Sequence, residues 1–494
     1  MRINTKNRAS EAIIIIIVVG LCLCLSVFLA TDLNRPERYQ LLWLIPLMYA
    51  VCLLLGYLFS DFPHNLAVKC VYIGYGMRFV FVPFMMLLGN YTTLGNESIY
   101  GPYVSDAVLL ASYEIFVVTL FVIFYSKKHA GLSPNPEINC LTAYSLSKRA
   151  KRIILLMVLF VVGILAVTPN LLREAFFLTI GRSEASELLH YSGQVDYYPL
   201  GISALKPLTT VSMTVFKVLQ CILPVYIITR IKRKTQNKHI QISLIYLVII
   251  LTALICTEER AHSIDCALAL LVTVNLTFED DIKINIKTIG IAILAVVVLG
   301  LLSKSNITGG IIGNYNELSR TSAAYFNGLN NIATAIAVKE TNTSIGIQNL
   351  IPDILLHIPY LANKVFANMF GDTINTIFNY SFSARGLGQI IPSISMGSIY
   401  FGYVLSPVVP CVAVFFSMFF YRKSLLANDI LRRNLFNLGM IMMCRATTIS
   451  NMLSGVNYLT HLLIAFFFIS LIIKRGITDN KKELEHEQDK ECNN

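Results

Sequence analysis

The chain has 494 residues, 55% of them hydrophobic and only 14% charged, with a mean hydropathy of +0.63. Soluble globular proteins carry about 25% charged residues, so that class is excluded; a β-barrel is excluded because its strands alternate over about ten residues, and runs such as IIIIIVVG (13–20) and IAILAVVVLG (291–300) do not alternate. The formal net charge of +11 would suit nucleic acid or anionic lipid, but cytoplasmic Lys and Arg also orient membrane helices; the charges sort by side, so no nucleic-acid partner is expected.

In chain order, apolar runs long enough to cross about 30 Å of hydrocarbon fall at 11–30, 40–59, 66–89, 104–125, 151–168, 207–229, 241–256, 261–277, 287–303, 396–420, 435–452 and 457–473. The expected fold is all-α: a polytopic bundle of about twelve transmembrane helices. The first span follows MRINTKNR, which resembles the n-region of a signal peptide. Its apolar run is long and lacks a clean cleavage site, so an uncleaved anchor is expected. The basic segments 127–152 and 230–238 place both termini in the cytoplasm. The tail 474–494 is charged, without a motif, and is expected to be disordered.

This topology leaves two long extracytoplasmic loops, at about 169–206 and 304–395. None of the eleven Cys residues lies securely in an outside loop. No CxxC, HExxH or Cys/His cluster is visible, so neither a metal nor another cofactor is expected.

Within the large loop, SIGIQNLIPDILLHIPYLANKVFANMF (344–370) places apolar residues at helical spacing. Pro352 and Pro359 are expected to break it into short pieces that lie at the interface as a lid over the bundle. On either side, 313–332 and 371–389 are polar and rich in Asn and Tyr. Their amides and charges suit sugar hydroxyls, and Tyr315, Tyr325 and Tyr380 could stack on sugar rings.

Arg173, Arg182, Arg260, Arg320 and Arg385 all fall at the outer boundary. The arginine fork matches phosphate oxygens and stays charged at any relevant pH, so converging arginines would hold a lipid-linked diphosphate. Arg260 stands in TEERAHSIDCALALLV, a tight turn between spans. Asp265, one turn further on, should face the protein interior. Arg78 and Arg445 lie deeper and should pair with acidic groups or with lipid phosphate.

The segment RGLGQIIPSISMGSIYFGYVL (385–405) resembles the end of the large outer loop in bacterial O-antigen and capsular polysaccharide repeat-unit polymerases (the Wzy type). Gly386, Gly388, Gln389, Pro392, Tyr400, Phe401, Gly402 and Tyr403 carry the likeness. ERAHSIDCALALL resembles an arginine-bearing element of that family, with Arg260 as its arginine, and Arg182 precedes Gly193 with ten residues between them. The chain departs from the pattern at Met396-Gly397-Ser398, where an acidic residue is common, and at Ala261, which stands in place of Gly. Gly397 also comes one residue late after Arg385.

The resemblance implies a glycosyltransferase of the bacterial inner membrane. It would join undecaprenyl-diphosphate-linked oligosaccharide repeat units at the outer face, in some cases with a chain-length regulator as partner. Arg260, Arg182, Arg385 and Arg320 would stabilise the diphosphate leaving group. His357, Asp353, Asp372 and Glu317 are the candidates for the base. Arg78, Tyr325, Tyr380, Gln389 and Tyr400 would contact substrate. A lipid-linked oligosaccharide flippase fits the span count but not the unequal loops, since transporters are built from repeated halves. An O-antigen ligase shares the layout; a structural or sensory membrane protein without chemistry is a further alternative, against which the polar, Arg-bearing outer loops argue.

Overall fold

The computed structural model describes residues 5–62, 65–93, 95–128, 148–167, 206–255, 260–278, 315–326, 328–358, 373–382, 390–448 and 450–470. Its helices are α1 (Thr5–Thr31), α2 (Leu44–Phe59), α3 (Leu66–Leu88), α4 (Glu97–Lys128), α5 (Lys148–Val167), α6 (Lys206–Lys234), α7 (Lys238–Leu254) and α8 (Arg260–Phe278). There follow α9 (Tyr315–Tyr325), α10 (Leu329–Thr341), α11 (Leu350–Leu356), α12 (Ile374–Phe382), α13 (Ser393–Leu405), α14 (Val408–Leu425), α15 (Ile430–Thr448) and α16 (Met452–Ser470). No strand occurs among the described residues. Among the described residues, eight helices are long and apolar enough to cross a membrane. The expected span at 287–303 lies outside the described residues, as does the tail 474–494.

Asparagine starts many of these helices. Its side-chain oxygen accepts the orphan amides of a first turn. Asn65 takes Val68 N, Asn96 takes Ser98 N, Asn237 takes His239 N and Ile240 N, and Asn451 takes Ser454 N. Asp429 does the same for α15 through Arg432 N at 2.7 Å. Several of the chain's Asn residues are therefore spent at helix starts.

The contacts between helix ends fall into two groups. At the Lys-rich end, Lys69 of α3 pairs with Glu11 of α1 at 2.8 Å. At the same end Arg433 of α15 donates to the Leu276 carbonyl of α8 at 3.0 Å and the Ser424 carbonyl of α14 at 3.1 Å. At the opposite end Tyr91 donates to Asp32 at 2.6 Å, Arg38 pairs with Glu97, and Ser319 of α9 donates to the Thr92 carbonyl at 2.7 Å. That grouping requires the helices to run alternately up and down.

The centre of the bundle is α15, buried along nearly its whole length. Lipid supplies no hydrophobic drive between helices, so polar contacts and close packing hold them. Asn434 donates to the Cys221 carbonyl at 3.1 Å, Asn437 donates to Thr273 at 2.9 Å, and Ser417 of α14 donates to the Met440 carbonyl at 2.9 Å. Pro224 lies inside α6 and removes one backbone donor from that turn.

The span expected at 396–420 requires correction. Its apolar run is continuous, yet Gly402 has φ +79° and ψ 173°, and α13 ends before Pro407. The chain doubles back there: a Cβ on Gly397 would lie 2.0 Å from the Ser406 carbonyl oxygen. In an uninterrupted helix, nine residues rise about 13.5 Å. The membrane-length helix is α14, and residues 393–400 form a separate segment buried on all sides. Irregular backbone of this kind is tolerated at membrane depth only where protein encloses it.

Candidate functional site

The block from α9 to α13 sits on the end opposite the Lys-rich one. Helix α9 docks on the turn after α3, where a Cβ on Gly89 would meet Ser319 Cβ and the Tyr315 carbonyl at 2.5 Å. Helix α10 packs on the start of α4. Its residues 329–338 are all buried, Asn330, Asn331 and Thr334 among them, and Asn331 donates to the Ile390 carbonyl at 3.2 Å. Helix α13 contributes buried Ser393, Ser395 and Ser398, with Ser393 donating to the Ala446 carbonyl of α15 at 2.8 Å.

A clamp centred on Asp353 holds this block together. Asp353 is fully buried. Its Oδ2 accepts from the Tyr400 hydroxyl at 2.7 Å and its Oδ1 from Ile374 N, the first amide of α12, at 3.1 Å. One carboxylate therefore ties α11, α12 and α13. Burial raises its pKa above the ordinary carboxylate value, against the opposing effect of the two hydrogen bonds. Pro352 stands in the first turn of α11, where its missing N–H costs nothing; the expected break at Pro352 is instead a 3₁₀ turn just before it, Ile347–Asn349. The outer face of this piece is apolar, with Ile347 and Ile351 exposed.

His357 follows at the end of α11. Its Nδ1 lies 2.7 Å from the Asp353 carbonyl oxygen. A carbonyl only accepts, so Nδ1 carries a proton, and in the neutral form of the ring Nε2 is then the proton acceptor. That is the tautomer a general base needs.

The remaining expected site residues are dispersed. Arg320 is partly exposed on α9, with Glu317 at 3.7 Å. Tyr315 and Tyr380 are exposed, and Tyr325 lies in α9 with its side chain outside the description. Arg260 opens α8, though its side chain is likewise undescribed. Arg173, Arg182, Asp372, Arg385, Gln389 and Pro359 lie outside the described residues. Tyr400 and Asp353 occupy each other and are enclosed.

The deep arginines have acidic partners, as expected. Arg78 Nη1 reaches Glu114 at 2.9 and 3.1 Å, Tyr75 donates to the same carboxylate at 3.2 Å, and all three are buried. Arg78 sits in a π-helical turn, Met77–Phe81, within α3. Such turns recur at functional positions. Arg445 pairs with Asp265 at 2.8 Å and stands over the Tyr458 ring at 4.5 Å. Asp265 faces the interior, as its position at the start of a span demanded.

The expectation of no Cys/His cluster does not hold. Cys221 of α6 meets His262 and Cys266 of α8, with the three ligand atoms within 4.8 Å of one another. Only the His262–Cys266 spacing of four residues carried a signal in the sequence, because Cys221 lies on a different helix.

A groove of about 500 Å³ opens between α4 and the α13–α14 break. Val117, Phe121, Val404, Leu405, Val412 and Phe415 line it, and the Tyr113 hydroxyl closes one side by donating to the Val404 carbonyl at 2.9 Å. Comparison with known proteins gives no match to any family model, curated protein or solved structure.

Proposed function

We propose that the chain is a polysaccharide polymerase that joins lipid-diphosphate-linked oligosaccharide repeat units at the outer face of a bacterial inner membrane. The observation that carries this reading is the α9–α13 block: helices that bury polar side chains such as Asn330, Asn331 and Asp353, seated on one end of an apolar bundle beside an apolar groove. A soluble sugar portion and a polyprenyl tail need such neighbours at a single boundary. The clustering of Lys residues at one end of the helices supports a reading in which that end, and with it both termini, faces the cytoplasm under the positive-inside rule.

In the reaction, a hydroxyl oxygen of the incoming repeat unit attacks the anomeric carbon of the growing chain. The bond from that carbon to the diphosphate oxygen breaks, and the lipid diphosphate leaves with the electron pair. The hydroxyl proton passes to a base. Of the candidate bases, His357 is favoured, since its acceptor nitrogen is already defined. Asp353 positions it through the backbone of α11, and Asp353's own oxygens are engaged elsewhere. Arg260, Arg182, Arg385 and Arg320 supply the cations that steady the departing diphosphate. The tail of the lipid lies along the groove at Val404 and Leu405.

The test is a gel of surface polysaccharide from a strain deleted for this gene. Surface glycan limited to one repeat unit supports the polymerase. Complete loss of surface sugar, with lipid-linked units retained inside, would replace it with a flippase. An unchanged ladder would overturn the polysaccharide reading altogether.

A further inference from the structure

Cys221, His262 and Cys266 stand apart from the chemistry described above and come together within the bundle. Cys221 Sγ projects from α6; His262 and Cys266 are four residues apart on one face of α8. All three are buried, at 3%, 3% and 2% exposure. Cys266 Sγ lies 3.5 Å from His262 Nε2. A tetrahedral zinc with a Zn–S bond of about 2.3 Å and a Zn–N bond of about 2.0–2.1 Å separates sulfur from nitrogen by about 3.5 Å. The pair on α8 therefore already stands at chelating distance, and Cys221 closes the set from the neighbouring helix.

We propose that these residues form a binding site for one thiophilic divalent cation, zinc, that ties α6 to α8 inside the bundle. The ligand chemistry points to this class: two thiols and an imidazole select zinc over magnesium or calcium, which take oxygen ligands. The charge balance suits the surroundings. Zn²⁺ with two thiolates and a neutral imidazole is neutral overall and can be buried without a counter-ion. Loading releases two thiol protons, one of them from the Cys221 Sγ contact to the Lys217 carbonyl at 3.3 Å. Lys217, His461 and Arg445 surround the imidazole, and Asp265 stands beside Cys266. Three protein ligands leave one tetrahedral position for an oxygen donor.

The site does not depend on the polymerase reading. It lies within the first two turns of α8, with His262 two residues and Cys266 six residues after Arg260, so the ion would also fix the end of the helix that presents that arginine.

The experiment uses the full chain purified in detergent, stripped with chelator under reducing conditions, loaded with zinc salt and dialysed. Elemental analysis is expected to find about one zinc per chain. Cys221→Ser and Cys266→Ser should each weaken retention about tenfold or more, while Cys444→Ser, a buried thiol outside the cluster, should retain it. Because either cluster variant could fail to fold, cobalt loading of the unaltered protein is the second measurement. A thiolate-to-cobalt charge-transfer band is expected. Absence of both retained zinc and that band would overturn the proposal. So would an intact mass lower by two hydrogen atoms with Cys221 and Cys266 joined, since the site would then be a disulfide.

Discussion

The Tyr400 hydroxyl donates a 2.7 Å hydrogen bond to Asp353 Oδ2 across 47 residues of sequence. Both groups are buried, and the other carboxylate oxygen takes the first amide of α12. Tyr400→Phe should therefore cost about 1–3 kcal/mol, the range for a buried acceptor left without its partner. The measurement is thermal unfolding in detergent; an unchanged midpoint would show that the clamp carries no stability.

Asp353 also predicts a pH dependence. Its folded pKa is raised above the unfolded value, so the unfolded state gives up its proton first as pH rises. The associated stability is fully present below about pH 3.9, the unfolded value, and is lost as pH rises through the higher folded value. Asp353→Asn should flatten the fall in melting temperature over that window. A steeper or unaltered slope in the variant would remove Asp353 as its source.

Arg78 and Glu114 form an enclosed pair at 2.9 Å. Arg78→Ala leaves a buried carboxylate without its cation and should cost about 3–5 kcal/mol, whereas Arg78→Met combined with Glu114→Leu should be close to neutral. The Arg445–Asp265 pair is partly open, with the arginine side chain 15% exposed, so Arg445→Ala should cost less than Arg78→Ala. Equal losses in the two single variants would contradict the difference in burial.

Three glycines give a graded series. Gly397→Ala places a methyl 2.0 Å from the Ser406 carbonyl oxygen, a backbone atom that cannot step aside, and should prevent accumulation of folded protein. Gly402→Ala meets no neighbour but adopts φ +79°, ψ 173°, a region nearly reserved to glycine, at about 1–3 kcal/mol. Gly20→Ala meets open space within α1 and should be neutral or slightly stabilising. Expression and melting temperature should rank in that order.

His357→Asn keeps a donor for the Asp353 carbonyl and removes the acceptor nitrogen. Surface polymer should disappear while the amount of protein in the membrane stays unchanged. Arg260→Ala should do the same. Normal polymer in His357→Asn would transfer the base role to Asp372 or Glu317.

Composition and apolar run length were enough to read an all-helical membrane protein, because burial in lipid imposes length and hydropathy directly on the sequence. The partners of Arg78 and Arg445 were foreseeable as a class, since an unpaired intramembrane charge is costly, although Glu114 and Asp265 could not be singled out. The break at Gly402 was hidden within an unbroken apolar run; backbone dihedrals leave no mark on hydropathy. Asp353 was noticed for its acidity, and its role as a clamp depends on Tyr400 and Ile374, which only the fold brings near. Cys221 gave no sign of the cluster in the sequence because its companions lie on another helix.

The Arg78–Glu114 pair also bears on the order of synthesis. The two residues are 36 positions apart, and Arg78 leaves the ribosome first. At about 5–20 residues per second, its cation waits about 2–7 s for its carboxylate. Until then α3 carries an uncompensated charge at membrane depth and has reason to remain in the insertion machinery. Helices α3 and α4 should thus enter lipid together, as a hairpin released when Glu114 arrives.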